Sequence, residues 1–296
     1  MNDASEGSIN MQRSSTLLTE EALPPVTRKP FSSSLHCWAW CALCCTIIGC
    51  DSKLVVGSWQ CAPRASATLG TAGTSGTSTE FANWSTGFED GFCDYSAPDG
   101  FCFVTGKASY DIVESPVHQG RYAAAFHVDS LSDVRAAQTR CVRQGALPEQ
   151  AYYGAWYYIP SVSQNSGIWN LFHFQGGQQG TALQYLWDVS LINDGKGGLR
   201  TVVFSHVEGR DYGTEELPSV PIGEWFELQV FLKRDAGTSG EIAVYQNGTR
   251  FLNVSGIKTD NADDAWGQWY VGNLADSLDP PVSTVYVDDI SVRTTL

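Results

Sequence analysis

The strongest constraint on the fold is the spacing of apolar residues, which recur at every second position. In residues 225–232 (WFELQVFL), one side of the predicted strand carries Phe226, Leu228, Val230 and Leu232. A period of two is typical of β-strands, because successive side chains point to opposite faces of a sheet. Asn247 and Gly248 then separate two more short strands, and Asn-Gly is a preferred two-residue turn of β-hairpins.

The same pattern continues over the C-terminal two thirds of the chain. Further strands are predicted at residues 120–128, 197–207 and 284–292, with glycine and Asx turns between them. Residues 130–145 (SLSDVRAAQTRCVRQG) fit either one or two helical turns or a loop followed by a strand. Many short strands separated by turns predict an all-β fold, and we expect a two-sheet antiparallel jelly-roll sandwich.

The first 49 residues have the features of an export signal. Arg28 and Lys29 precede a mostly apolar run at residues 35–48, which is too short to span a membrane. The run ends in TIIGC, which resembles a bacterial lipobox, a signal whose cysteine (here Cys50) is lipidated. We therefore predict a signal peptide over residues 1–49 and a lipid-anchored protein of the bacterial cell envelope, or a secreted one.

A flexible linker is predicted between the anchor and the folded part. Residues 62–78 (APRASATLGTAGTSGTS) are rich in small residues and lack an apolar period. The expected organisation is a lipidated cysteine and linker over residues 50–78, followed by a single jelly-roll domain over residues 79–296.

Four cysteines follow Cys50, and an exported location permits them to form disulfides. Four cysteines allow three pairings, and their spacing fits no zinc motif. Cys93 and Cys102 enclose a short loop with the turn sequence SAPDG, so we favour this pair. The partners of Cys61 and Cys141 stay open.

Composition and net charge indicate which kinds of molecule the protein binds. The net charge of −14 argues against a surface that binds nucleic acid or an anionic membrane. Aromatic residues make up 12% of the chain, and 10 tryptophans and 29 glycines are typical of secreted β-rich proteins that handle carbohydrate. We expect a monomer that binds a polysaccharide and meets the membrane only through its lipid anchor.

Residues 152–177 (YYGAWYYIPSVSQNSGIWNLFHFQGG) are the most aromatic stretch and contain His173. They predict two adjacent strands of the sandwich. An aromatic face left in solvent is costly unless a ligand covers it, and sugar rings stack on Trp and Tyr. On strict alternation, the side chains expected to bind substrate are Trp156, Tyr158, Trp169 and Gln175. The alternative is a central strand covered on both faces.

Several segments occur in an order that resembles a known family. They are GFEDGF, SPVHQGRYAAAFHV, RAAQTRCVR, YYGAWYYIP, WNLFHFQG, GEWFELQVFLKR, VYQNG and VYVDDISV. The order resembles the polysaccharide-lyase group with a concanavalin A-like jelly roll, which includes heparin-lyase-like, glucuronan-lyase-like and alginate-lyase-like proteins. The resemblance covers residues 79–296.

This resemblance implies β-elimination on a uronate-containing polysaccharide. One group neutralises the carboxylate, a base removes the neighbouring proton, and an acid protonates the leaving oxygen. By matching position, Arg140 and Arg143 would bind the carboxylate. His173 would be the base or the neutralising group, and Tyr270 the acid or base.

Two positions depart from the family pattern. Alginate-lyase-type sheets usually have a polar residue two positions before the histidine, where this chain has Leu171. They also carry a Tyr–Lys pair in the last catalytic strand, and the segment QWYVGN around Tyr270 has no lysine. These departures bear on catalysis rather than on the fold.

GFEDGF and VYVDDISV also resemble segments of carbohydrate-binding jelly-roll modules. In those modules an early glutamate and a late aspartate join backbone carbonyls around a structural calcium ion, which prefers several oxygen ligands. Glu89 with Asp288 or Asp289 is therefore the predicted calcium site. The alternative is that these are ordinary surface acids.

The sequence thus favours an enzyme, a polysaccharide lyase that requires no cofactor besides a structural calcium ion. The alternative is a non-catalytic carbohydrate-binding or adhesion lipoprotein on the same fold. A structural role in the envelope is a third hypothesis.

Overall fold

The computed structural model describes residues 61, 81, 83–131, 136–213, 217–261 and 266–295. The predicted signal peptide, the lipidated Cys50 and the linker lie outside the described residues, so the anchor and the envelope location stay predictions. Among the residues described, none belongs to a helix with the length and apolarity needed to cross a bilayer.

The described chain is built from short strands. In chain order they are β1 (Trp84–Thr86), β2 (Gly100–Thr105), β3 (Ala108–Val113), β4 (Ala123–Asp129), β5 (Ala137–Ala146), β6 (Gln150–Tyr158), β7 (Gln164–Asn165), β8 (Trp169–Gly177), β9 (Gln184–Asn193), β10 (Leu199–Ser205), β11 (Arg210–Tyr212), β12 (Trp225–Lys233), β13 (Gly240–Gln246), β14 (Thr249–Ile257), β15 (Trp266–Ala275), β16 (Leu278–Asp279) and β17 (Val282–Arg293). A 3-10 turn, Cys93–Tyr95, lies between β1 and β2.

These strands form two large antiparallel sheets. The first sheet has the order β14-β13-β12-β6-β17-β4-β3, with β1 paired to β17. The second sheet has the order β11-β10-β9-β8-β15-β5-β2, and β7 and β16 form a small ribbon. The prediction of an all-β, two-sheet jelly-roll sandwich is confirmed.

Local sequence signals are also confirmed. Asn247 and Gly248 join β13 to β14 with φ values of 50° and 73°, as a hairpin turn with two left-handed residues requires. In the ambiguous segment at residues 130–145, the described residues from Ala137 onward belong to β5.

Aromatic rings fill the core between the sheets. Tyr153 and Tyr157 of β6 lie edge-on to Phe174 and Phe172 of β8, with centroids 5.0 and 5.5 Å apart. Edge-to-face packing is a favoured geometry for buried rings. The two aromatic strands therefore face each other across the core, whereas the sequence predicted that they are adjacent.

The disulfide prediction is wrong in its pairing. Cys102 of β2 lies directly opposite Cys141 of β5, and these two are bonded. Cys93 of the 3-10 turn is bonded to Cys61. The turn sequence between Cys93 and Cys102 leads directly into β2. Cys102 therefore lies beside β5, and its disulfide partner is Cys141 of that strand. For Cys102 and Cys141, the neighbouring strand and not closeness in sequence decides the pairing.

Candidate functional site

A polar cluster lies on the outer face of the second sheet, the face turned away from the first sheet. His173 of β8 is its centre, and its ring lies 5.1 Å from the Tyr270 ring and 4.9 Å from the Tyr185 ring, centroid to centroid. His173 is only 6% exposed, whereas Tyr185 is 56% exposed. The cluster therefore has a buried histidine beneath an exposed aromatic rim.

A β-bulge in β8 decides which side chains join His173. Against β9, the register shifts between Asn170 and Phe172, so Leu171 and Phe172 both face the core. Strict alternation breaks at this point. Asn170 consequently shares the outer face with His173, and Leu171 does not. The polar residue that appeared to be missing two positions before the histidine is present three positions before it.

The neighbouring strand β15 has a matching irregularity. Its register against β8 shifts between Val271 and Leu274. Gly272 adopts a φ of 137° there, and a Cβ atom would lie 2.5 Å from the Thr139 carbonyl oxygen. Only glycine fits this close approach to β5.

The Asp188 carboxylate of β9 forms hydrogen bonds with two histidine side chains. Its Oδ1 accepts a hydrogen bond from His173 Nδ1 at 2.5 Å, and its Oδ2 accepts one from His206 Nε2 at 2.8 Å. Burial opposes ionisation, but the two histidine bonds prevail and hold the pKa of Asp188 well below its usual range. Asp188 is therefore a carboxylate at neutral pH.

His173 is consequently fixed in one neutral form. Burial lowers the pKa of His173, and the hydrogen bond to Asp188 opposes this shift only in part. With its proton on Nδ1, the ring keeps an unprotonated Nε2. Gln175 Nε2 donates to this atom at 3.0 Å. The Nε2 atom is thus a proton acceptor on the outer face.

Tyr270 completes a chain of polar groups. Its hydroxyl donates to Gln175 Oε1 at 3.2 Å and also contacts Gln268 Oε1. Burial raises the pKa of Tyr270 to about 12, although the nearby Arg140 lowers it in part. Tyr270 is therefore a protonated phenol at neutral pH, close to an imidazole that can accept a proton.

Arg140 of β5 supplies positive charge beside this pair. Its guanidinium lies 5.7 Å from the Tyr270 ring centre and donates to Asn170 Oδ1 at 2.7 Å. Burial lowers the pKa of Arg140 to about 10, so it remains a cation at neutral pH. Asn170 is held in turn by the Phe172 carbonyl and the Ser190 hydroxyl.

The structure brings together four of the predicted site residues: His173, Tyr270, Arg140 and Gln175. These four with Asp188, His206 and Asn170 are called the His173 cluster below. Arg143 does not join it, because it lies three residues after Arg140 on β5 and faces inward. Its guanidinium lies 4.7 Å from the Trp84 ring and 5.5 Å from the Phe81 ring.

Three predicted sugar-binding residues also lie elsewhere. Trp169 is fully buried in the core, where its indole donates to Asn273 Oδ1 at 3.1 Å. Trp156 and Tyr158 belong to β6 and face outward from the first sheet, the far side from His173. Trp156 stacks on His118 at 3.7 Å. The chain changes sheets between β6 and β8, so these side chains cannot line one groove with His173.

The predicted calcium residues lie around one loop segment. Glu89 Oε1 accepts the backbone N–H of Arg121, and Asp288 Oδ2 accepts that of His118, each at 2.9 Å. Asp289 Oδ2 lies 2.6 Å from His118 Nδ1. In the described residues these acids join the two ends of the domain to residues 118–122 through hydrogen bonds. Burial raises the pKa of Asp288 to about 6. Calcium binding there stays a prediction.

Sequence reasoning missed Asp188, His206 and Asn170. Asp188 carries a readable signal, since an acid between Trp187 and Val189 in an apolar strand is unusual unless it has a partner. Asn170 has no such signal, because only the bulge places it on the outer face.

Comparisons with known proteins bear on the fold. No protein-family model matches the chain, and no curated protein sequence does. Among solved structures, an endo-β-1,4-glucuronan lyase from the fungus Trichoderma reesei matches with a TM-score of 0.55 and 14% identity, over 72% of this chain and 95% of that one.

Two other solved structures match less closely. They are a cellulose-induced protein (TM-score 0.49, 17% identity, 72% of this chain and 97% of that one) and an alginate lyase (TM-score 0.48, 13% identity, 73% and 95%). At these identities the likeness concerns the backbone. The chain therefore has the two-sheet jelly-roll fold of the glucuronan lyase that it resembles.

Proposed function

We propose that the protein is a polysaccharide lyase that cleaves a uronate-containing polymer by β-elimination. The observation that carries the proposal is the His173 Nε2 atom, an unprotonated imidazole nitrogen set beside the protonated Tyr270 hydroxyl. A base and an acid held side by side are what this reaction needs. The fold shared with a glucuronan lyase supports the same class of reaction.

The proposed steps use only side chains of the His173 cluster. When substrate binds, His173 Nε2 gives up its hydrogen bond from Gln175 Nε2. It then takes the proton from the carbon that bears the uronate carboxylate. The electrons left behind form a carbon–carbon double bond, and the bond from the neighbouring carbon to the glycosidic oxygen breaks. The Tyr270 hydroxyl gives its proton to that oxygen. The proton gained by His173 then returns to the Tyr270 oxygen, so that atoms and charges balance and water is not consumed.

Arg140, which donates a hydrogen bond to Asn170, contributes the electrostatic part. Removing the proton places negative charge on the carboxylate and the adjacent carbon, and a buried cation stabilises such charge more strongly than one in water. Arg140 is 4% exposed and lies under the Tyr270 ring, next to both proton-transfer groups. Asp188 in turn stabilises the imidazolium that His173 becomes.

The alternative is a carbohydrate-binding protein that uses the same face without chemistry. The observation in its favour is Tyr185, an exposed ring at the rim of the cluster, which offers a stacking surface to a sugar. It predicts retention of a polymer without cleavage.

A panel assay separates the two. The purified protein is incubated with glucuronan, alginate, heparin and other uronate polymers while ultraviolet absorbance of the unsaturated product is followed. We expect growth of absorbance with at least one polymer and its loss in His173→Gln. The control is His118→Gln. His118 is also paired with an aspartate, but it lies in the loop between β3 and β4 and stacks on Trp156 of the first sheet, so this variant should keep the activity. Retention of a polymer without absorbance would favour the binding protein.

A further inference from the structure

His173, Asp188 and His206 form a set of metal-binding donors on one face of the second sheet. One ligand atom from each lies within 4.8 Å of the other two. Two imidazole nitrogens and one carboxylate are the donors that Zn²⁺ and similar first-row ions prefer, and three protein ligands with an open fourth position make a common zinc geometry.

The backbone fixes these three residues independently of any ligand. His173 and Asp188 are direct partners across β8 and β9. His206 follows the end of β10, and its backbone N–H donates to the Leu186 carbonyl at 2.9 Å, which prolongs the ladder to β9. The site is therefore held by three hydrogen-bonded neighbours rather than by a mobile loop.

We propose that these three side chains bind one divalent transition-metal ion of the zinc class. The metal-ligating atoms would be His173 Nδ1, a carboxylate oxygen of Asp188 and His206 Nε2. Around a tetrahedral ion with bonds near 2.0 Å, ligand atoms lie about 3.3 Å apart. The present distances of 2.5 and 2.8 Å to Asp188 require the donors to separate by less than about 1 Å.

The ion has a path to the site. The His206 side chain is 28% exposed, and that of Asp188 is 17% exposed. His206 and the exposed Tyr185 lie side by side, with ring centroids 5.3 Å apart. The metal would therefore enter from the solvent side of the sheet, where the proposed substrate also binds.

Metal binding excludes the base role of His173. A neutral imidazole has one ring proton, and coordination through Nδ1 moves that proton to Nε2. The Nε2 atom then becomes a donor and can no longer take a proton from substrate. Metal release restores the Nδ1–H bond to Asp188 and the accepting Nε2. This consequence rests on the proposed lyase function, whereas the binding itself does not.

The binding is tested on the full chain without any substrate. Zn²⁺ is titrated by calorimetry, and Co²⁺ by its visible absorption, into wild type, His206→Ala and Asp188→Asn, with unfolding curves to show that each variant is folded. We expect wild type to bind one ion more per chain than His206→Ala, or to bind it at least about 10- to 100-fold more tightly, because loss of a direct ligand weakens binding no less than loss of a group that supports one. Asp188→Asn should show the same loss.

His118→Ala is the matched control, because His118 also contacts an aspartate but lies in the loop between β3 and β4, against Trp156 of the first sheet. Unchanged binding in both His206→Ala and Asp188→Asn would overturn the proposal, as would an equal loss in His118→Ala. Where a polymer is cleaved, Zn²⁺ should inhibit and a chelator should restore the rate. Binding at this site without inhibition would refute the exclusion of the base role. Absence of lyase activity would refute the proposed function alone.

Discussion

Replacing Asp188 by asparagine removes the charge that orients His173 while the shape of the side chain is kept. Asparagine can still accept the His173 Nδ1–H bond, but as a neutral group. A hydrogen bond to a charged partner stabilises by about 1.5–3 kcal/mol and a neutral one by about 1 kcal/mol, so the variant loses about 0.5–2 kcal/mol. If that loss falls on the transition state, kcat/KM decreases by about 2- to 30-fold.

The pH dependence of kcat/KM tests the role of Asp188 more specifically than the rate alone. In the wild type, Asp188 raises the pKa of His173 against the larger lowering effect of burial. Removing the charge therefore lowers the pKa of His173 further, and the acidic limb of the pH–rate profile moves to lower pH while the plateau decreases.

The assay is kcat/KM against pH for wild type, Asp188→Asn and Asp194→Asn on a cleaved uronate polymer. Asp194 is a partly buried acid in the turn after β9, where its carboxylate accepts the backbone N–H groups of Lys196 and Gly198. Its variant should keep the acidic limb in place. A decreased plateau with an unmoved limb in Asp188→Asn, or a limb displaced to higher pH, would refute the role given to Asp188.

Further predictions concern the proton donor, the two arginines and acid stability. Tyr270→Phe removes the proposed acid, and kcat should decrease by about 10²- to 10⁴-fold with little change in the unfolding midpoint; an unchanged kcat would exclude the role. Arg143→Ala should lower the free energy of unfolding by about 2 kcal/mol through lost contacts with Trp84, without changing kcat/KM per folded molecule. Arg140→Ala should abolish activity. Activity lost in Arg143→Ala and kept in Arg140→Ala would instead make Arg143 the catalytic arginine and Arg140 the structural one. The pKa of Asp188 is lowered on folding, so its contribution to stability is present above its unfolded pKa and is lost as the pH falls. In denaturation curves, the stability difference between wild type and Asp188→Asn should therefore shrink at acidic pH, and a constant difference would contradict this.

The fold could be predicted because its signals are local. The alternating residues of β12 and the Asn247–Gly248 turn specify strands and a hairpin without reference to the rest of the chain. The histidine at the site could be predicted too, since His173 stands in a strand otherwise rich in apolar residues.

The disulfide pairing and the remaining site residues could not be predicted, because they depend on which strands lie side by side in the folded sheets. Cys102 pairs with Cys141 because β2 lies beside β5. Trp156 lies far from His173 because the chain changes sheets between β6 and β8. The bulge at Leu171 reverses the faces of the residues before it, and strict alternation cannot show this. Arg143 is different, because its odd spacing from Arg140 already placed the two on opposite faces of β5.

In the proposed reaction, His173 removes a proton and the polymer is broken by elimination. The most direct measurement is mass spectrometry of the products formed from a uronate polymer by wild type and by His173→Gln. Elimination leaves an unsaturated end that lacks the water molecule added by hydrolysis. We expect such ends with the wild type and none with the variant. Hydrated ends, or unsaturated ends formed equally by His173→Gln, would contradict the proposed reaction.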